Sequence, residues 1–378
     1  MSSITSSLRK RTVSPGFWML KKDDLKVFAI SILVNAYYLV YFHRKNALYS
    51  LFLFDDSPSY QIKALSLENR ISSHLKTMIP SDNLYSRLLS LIQHTFNWNL
   101  VYTLIMCSFL FSLSSLYLFR RLLVMFNISN PTIITIASCF VPISTIMYRV
   151  TPTFDSLFSS LLYFSFICFG MDMFSFELIT IILIVYCHVE GIAVAVAYIV
   201  LHILQKRPLR SSAILSASLI FYFVFFSFNK PSQYVSGLFL VHQSSSSISL
   251  KIFKHFFAIS DSISNLRTIH SIFYVYGPLL FGGASLVSTC FPMSVFVFVW
   301  LLFLVFINGD SIIRIAIPAQ VFAYLIGLPH MFTSIVGKYG LIVFSIIYFP
   351  SAIVYNKTYL STYDNMHSYW WRALYSNN

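Results

Sequence analysis

Leu25-Lys26-Val27-Phe28-Ala29-Ile30-Ser31-Ile32-Leu33-Val34-Asn35-Ala36-Tyr37-Tyr38-Leu39-Val40-Tyr41-Phe42 is almost wholly apolar, and a little further on the chain reads Phe54-Asp55-Asp56-Ser57-Pro58-Ser59-Tyr60. The first stretch approaches the ~20 residues that an α-helix needs to cross a hydrocarbon core. It reads as a first membrane-spanning helix that delivers two adjacent carboxylates to the far surface. Such a pair is costly beside hydrocarbon, because each charge repels the other and the apolar phase solvates neither. Only 13 acidic residues occur in the whole chain, and two of them stand together here. Pro58 removes a backbone donor and disfavours helix at Ser57, so the carboxylates are expected on a turn at the membrane surface. They read either as a site or as the acidic punctuation of a solvated loop.

The rest of the composition agrees with a membrane protein. Of 378 residues, 57% are hydrophobic, 18% aromatic and only 10% charged, against about a quarter charged in soluble domains. Several apolar runs reach or exceed the ~20 residues needed to cross a bilayer as a helix, and no alternating pattern of about ten residues suggests a barrel. The expected fold is an all-α integral membrane protein, a polytopic bundle of about 8–11 transmembrane helices with interfacial helices in its external loops. Its divisions are a cytoplasmic N-terminal segment over about 1–23, a transmembrane domain over about 24–356 with long external loops at about 43–98 and 229–270, and a tail over about 357–378. The start is polar and basic and does not resemble a secretory signal peptide.

The net charge of +13 comes from Lys and Arg scattered through short loops. That distribution sets topology in a membrane and does not mark a nucleic-acid face. Some of these cations would instead hold phosphate groups at the bilayer surface. Arg9, Lys10, Arg11, Lys21 and Lys22 precede the first span and put the N-terminus in the cytoplasm. Cys107, Cys139, Cys168, Cys187 and Cys290 all fall in apolar segments without a CxxC pair, so neither a disulfide framework nor a metal cluster is expected.

Between His43 and Trp98 lies a mixed segment with Asp82, Arg87 and a helically spaced apolar run from Tyr85 to Ile92. A loop of roughly fifty residues tends to be functional. The next span covers about Leu100 to Phe119 and stops at Arg120-Arg121. Shorter apolar stretches follow, around Pro131 to Met147 and Ser156 to Phe169, with Arg149 and Asp155 between them as an external loop pair or as part of the site. A long apolar run at 178–204 is interrupted by His188-Val189-Glu190-Gly191. It reads as one tilted span with a polar patch or as two short helices meeting at the break. On one continuous helix His188 and Glu190 point in different directions, which excludes a two-ligand metal face. The one-helix and two-helix readings put Lys206, Arg207 and Arg210 on opposite sides of the membrane.

Further spans are expected at about Ser212 to Phe228, Ile272 to Thr289, Met293 to Ile307, Arg314 to Leu328 with Pro318 inside it, and Leu341 to Val354. The serine run Ser244 to Ser247 reads as a linker, and Lys251, Lys254 and His255 as an interfacial basic segment. Trp370 and Trp371 suit an interfacial belt.

Taken in order, the basic N-terminus, one helix, the Asp55-Asp56 motif and the amphipathic segment to Trp98 resemble the C-type membrane glycosyltransferases, which use a sugar carried on a polyprenyl phosphate. The string Asp56-x-x-Ser59-Tyr60-x-x-x-Ala64 is similar to the Trp-Asp-x-x-His-Phe motif of the GPI mannosyltransferase 2 family, with Phe54-Asp55 in place of the Trp and Ser59 in place of the His. The late His-x-Gln-x-x-x-Arg-Phe segment of that family is not found. Arg314, after Gly309-Asp310, looks like the arginine that bacterial members carry at the start of a late helix.

The resemblance implies transfer of a sugar from a dolichyl or undecaprenyl phosphate to a lipid-linked or surface glycan on the external face, in the endoplasmic reticulum or a bacterial inner membrane. Such a reaction needs a base for the acceptor hydroxyl, and a neighbouring like charge raises a carboxylate toward that task. Asp56 is the first candidate and Asp55 the second. Arg314 offers bidentate geometry to the leaving phosphate, with Lys254 and His255 as further cations. Tyr60, Asp155, Arg149, Asp310, His188 and Glu190 are supporting candidates. No cofactor is implied outright; a divalent cation would suit the carboxylates, but no ligand set has recognisable spacing. The partners implied are the lipid-phosphate donor, the glycan acceptor, membrane lipids and a membrane protein subunit, with no nucleic acid. Rival readings are a transporter or flippase using His188 and Glu190 for protons, a surface-polysaccharide polymerase, and a noncatalytic subunit of a glycosylation complex.

Overall fold

The computed structural model describes residues 15–44, 57–67, 83–139, 153–188, 190–228, 266–305 and 312–335, and every regular element among them is helical. After a 3-10 turn at Pro15–Trp18, the first helix, α1, runs from Lys22–Arg44, followed by α2 at Ser57–Leu67 and α3 at Leu84–Phe96. The spacing of Tyr85, Ser86, Leu89 and Gln93 puts one buried face on α3, the stripe expected of an amphipathic helix. The Asn83 side chain accepts the Ser86 amide at 2.8 Å, and Asn97 in the left-handed conformation closes the helix. Asn99 then caps α4, Leu100–Met125, by accepting the Tyr102 amide at 2.9 Å. A short helix, α5, follows at Pro131–Ala137 with its proline in the first turn.

Among the described residues the segments read as spans are helical, but the stretch from Pro131 is described only to residue 139, as a seven-residue helix and a turn, and two others differ from expectation. The helix α4 does not stop at Arg120-Arg121 but continues to Met125, with both arginines buried. Their charge is met inside the protein, so they do not end the apolar segment. The run at 178–204 is two antiparallel helices, α7 at Phe174–Cys187 and α8 at Gly191–Leu204, preceded by α6 at Asp155–Gly170. The division falls at His188, whose backbone is extended. Gly191 sits so close to α7 that a Cβ there would strike the Ile184 carbonyl and the Val185 backbone, so the turn needs a glycine. After α9, Pro208–Phe228, come α10, Leu266–Thr289, and α11, Phe291–Val305. The last described stretch joins α12, Ile312–Phe322, through a π-helical turn at Ala323–Gly327 to α13, Leu328–Ile335.

Side-chain contacts fix the directions. Ser160 Oγ donates to the Phe111 carbonyl at 3.1 Å, Phe119 and Tyr163 rings lie 5.0 Å apart, and Gly170 abuts Met125, so α4 and α6 run parallel. Phe158 meets Trp300 and Phe166 meets Phe296, which makes α11 antiparallel to α6. Phe322 sits mid-bundle among Phe119, Tyr163, Phe166 and Phe296. The backbones of Gly282 and Gly327 touch where α10 crosses the π turn.

One end of the bundle gathers the start of α1, the ends of α4, α6 and α8, and the starts of α7 and α9; it is called the basic end here for its arginines. At the opposite end α6 begins, the α7–α8 hairpin turns and α11 finishes. Among the described residues one stretch, Tyr102–Met125, is long and apolar enough to cross a membrane, beside shorter apolar helices at Asp155–Gly170, Phe174–Cys187, Gly191–Leu204, Pro208–Phe221 and Phe291–Leu304. The expected span near 341–354, the serine run and the basic segment at 251–255 lie outside the described residues.

Candidate functional site

At the hairpin end, residues far apart in sequence meet. Asp155 opens α6, His188 occupies the extended link between α7 and α8, and Glu190 stands immediately before α8. Leaving the helix at His188 is what lets the two side chains approach. His188 Nδ1 lies 3.3 Å from Glu190 Oε1, and the imidazole stacks flat on Phe154, centroids 4.2 Å apart and planes 8° from parallel. The directions assumed for one continuous helix therefore do not apply. Asp155 and Glu190 both lie within electrostatic reach of the Cys187 thiol. From the other side α3 contributes the buried Tyr85, near Asp155, Cys107 and Ser108. Two carboxylates, an imidazole and a phenol around one helix turn form a set able to exchange protons and bind hydroxyl groups.

Three of the candidates named from sequence, Asp155, His188 and Glu190, are thus brought together. Tyr60 lies on α2, which packs against α3, and Arg314 lies in the first turn of α12. Gly282 meets Ala323 and Gly327, and Ser288, nearer the basic end, meets His330, so this last helical stretch runs toward the basic end and α12 starts on the hairpin side. Asp55, Asp56, Arg149, Lys254, His255 and Asp310 lie outside the described residues. Among the described residues no three His, Cys, Asp or Glu side chains gather as a metal ion would require.

Sequence reasoning missed the charge networks of the basic end. Asp24, with no exposed side-chain surface, bonds Arg120 at 2.6 Å and Arg121 at 2.7 Å. Asp23 adds a 3.2 Å contact to Arg120, and Arg121 lies over the Tyr117 ring. Asp172, in the left-handed turn between α6 and α7, accepts from Arg207 and Arg210. Partial burial pushes its carboxyl up, but hydrogen bonds from Arg210 and Arg207 outweigh that and hold it below the usual carboxylate range. One turn inside, Glu177 Oε1 and His202 Nε2 are 2.6 Å apart. A signal for that pair existed: Glu177 lies as far before His188 as His202 lies after Gly191, which is the symmetry of a hairpin.

No protein-family model, no curated protein and no solved structure matches this chain.

Proposed function

We propose that the chain is a multi-pass membrane glycosyltransferase of the C type, moving a sugar from a polyprenyl phosphate to a lipid-linked or surface glycan. One observation carries the reading. The helix α2 begins directly after Asp55-Asp56 and packs on α3, whose Tyr85 lies beside Asp155 at the end where the α7–α8 hairpin turns and the Arg314 helix starts. The amphipathic segment that follows Asp55-Asp56 and the helix that carries Arg314, far apart in sequence, both meet the bundle toward that end, which supports the reading.

In this reading the basic end faces the cytoplasm, where Lys206, Arg207 and Arg210 obey the positive-inside rule. The opposite end faces the lumen of the endoplasmic reticulum or the bacterial periplasm. At 14 residues each, α7 and α8 reach only ~21 Å, short of a ~30 Å hydrocarbon core. The His188–Glu190 turn then lies below the headgroups beside the amphipathic α3, where intramembrane polar groups are tolerated because they face the bundle interior and pair with one another. Asp56 takes the acceptor hydroxyl proton as the new bond to the anomeric carbon forms. The anomeric carbon–phosphate oxygen bond breaks, and the lipid phosphate leaves with its electron pair toward Arg314.

The test is transfer of radiolabelled sugar from a panel of polyprenyl-phosphate sugars by the purified chain, beside Asp56→Asn and Asp55→Asn. Loss of roughly a hundredfold or more in one folded Asn variant is expected. Equal activity in both would remove the acidic pair from the mechanism. No transfer from any donor by folded wild type would end the transferase reading. One rival has an observation of its own: a His–Glu pair stands near each end of the same hairpin, as a proton-coupled lipid transporter would want. That rival requires the reconstituted protein to discharge a pH gradient.

A further inference from the structure

The proposed transfer takes place at the hairpin end and has no use for the pair at the other end of the hairpin. Glu177 and His202 are 2.6 Å apart, with side-chain exposures of 0% and 1%. Their remaining polar atoms, Glu177 Oε2 and His202 Nδ1, are buried and have no hydrogen-bond partner. The rings of Phe169 and Phe174 close around the imidazole at 5.5 and 5.8 Å. Above Phe174 lies the Arg210 guanidinium, 5.0 Å from the ring centroid and bonded to Asp172. The pair is therefore one covered turn away from the basic surface.

In the opposite direction α8 itself carries no polar side chain beyond Tyr198. Tyr198, one turn from His202 on α8, meets Ser165 Oγ at 2.7 Å, and beyond it the buried α8 side chains Ala197, Ala195, Val194 and Ala193 are apolar up to Gly191. No hydrogen-bonding path along α8 reaches the His188–Glu190 turn. The nearest charged surface is the basic end, behind Phe174 and the Arg210 guanidinium.

We propose that Glu177 and His202 form a proton-binding site that latches α7 to α8: it holds one proton between carboxylate and imidazole, and it is filled and emptied through the Arg210–Phe174 cover. With one proton the pair is neutral overall, which a buried apolar setting tolerates. Without it the pair is a buried anion, and with two protons a buried cation; each state costs desolvation that the fold avoids by opening the hairpin. The neighbouring titratable or charged groups are Cys168 on α6, Asp172 in the turn that follows it, Tyr198 on α8, Lys206 and Arg207 between α8 and α9, and Arg210 in the first turn of α9. The helix α11, also packed on α8, carries no titratable side chain. Arg210 lies within electrostatic reach of Glu177, and losing the Arg210 cover would speed exchange without abolishing the site.

The test is hydrogen exchange of the 174–204 hairpin in the purified full-length chain as pH is varied, for wild type, Glu177→Gln and His202→Gln. Wild type is expected to be best protected in the middle of the range and to lose roughly tenfold or more toward each extreme. Glu177→Gln cannot become a buried anion, so its alkaline loss disappears while the acid loss stays. His202→Gln cannot become a buried cation, so its acid loss disappears while the alkaline loss stays. Should His202→Gln fail to fold, Glu177→Gln decides alone, since the amide keeps the size of the acid. Identical pH dependence in wild type and Glu177→Gln would overturn the proposal, as would loss of the same limb in both variants.

Discussion

Asp24 Oδ2 lies 2.7 Å from Arg121 Nη2, ninety-seven residues along the chain, and both side chains are excluded from solvent. The same carboxylate uses its other oxygen for Arg120 at 2.6 Å and accepts the Lys21 amide at 2.7 Å. One buried aspartate therefore meets two buried arginines, of which Arg120 has a second, half-exposed carboxylate in Asp23. Removing one partner of such a group costs about 3–5 kcal/mol. Asp24→Asn is expected to lower stability by that order in denaturant or thermal unfolding in detergent. Lys26→Ala, which removes only an exposed contact to Asp23, should change it by less than about 1 kcal/mol.

The turn after α6 gives a pH dependence of known sign. Asp172 is held below the usual carboxylate range by Arg210 and Arg207. A carboxyl whose pKa is depressed on folding stabilises the protein fully above its unfolded value, about 3.9, and that contribution is lost as pH falls through the lower folded value. The stability difference between wild type and Asp172→Asn is thus expected to be constant from neutral pH to about 5 and to shrink below about 4. A difference that grows on acidification would contradict the assignment.

Where α10 crosses the π turn there is no room for a methyl group. A Cβ on Gly282 would meet the Ala323 backbone, and one on Gly327 the Gly282 carbonyl, whereas nothing stands within 4 Å of a Cβ on Gly277. Gly282→Ala and Gly327→Ala should each destabilise by about 1–3 kcal/mol or more, because backbone cannot yield as a side chain does. Gly277→Ala, in the same α10 helix, should be neutral or stabilise by up to about 1 kcal/mol. Unfolding midpoints of the three variants provide the comparison.

At the hairpin end, Glu190→Gln keeps the size of the side chain and removes the charge beside His188. If this turn belongs to the transferase site, transfer should fall roughly tenfold while helix content is unchanged. Full activity would leave the His188–Glu190 contact a purely structural one.

Helices were legible in the sequence wherever one physical rule acted locally. The apolar run after Lys22 and the helically spaced run from Tyr85 to Ile92 follow from hydropathy and periodicity over a few residues. The division at His188 was visible as a polar break, but whether it bent or split the helix depended on Gly191 meeting α7, a contact between two elements. For the site, hydropathy marked Asp155, His188 and Glu190 as ionisable residues in apolar surroundings. It said nothing of Phe154, whose ring sets the plane of His188.

Composition and periodicity alone determined that this chain is helical, because burying apolar length while satisfying backbone hydrogen bonds is a local problem with a local solution. Which charges neutralise one another was decided only in three dimensions. Arg120 and Arg121 look in sequence like the solvated end of a span, and Glu177 and His202 like isolated charges in an apolar run. Their pairing with Asp24 and with each other depends on helix direction and register. Those are set by how aromatic side chains such as Phe119, Tyr163, Phe166 and Phe322 interlock, and close packing couples residues whose separation along the chain carries no signal.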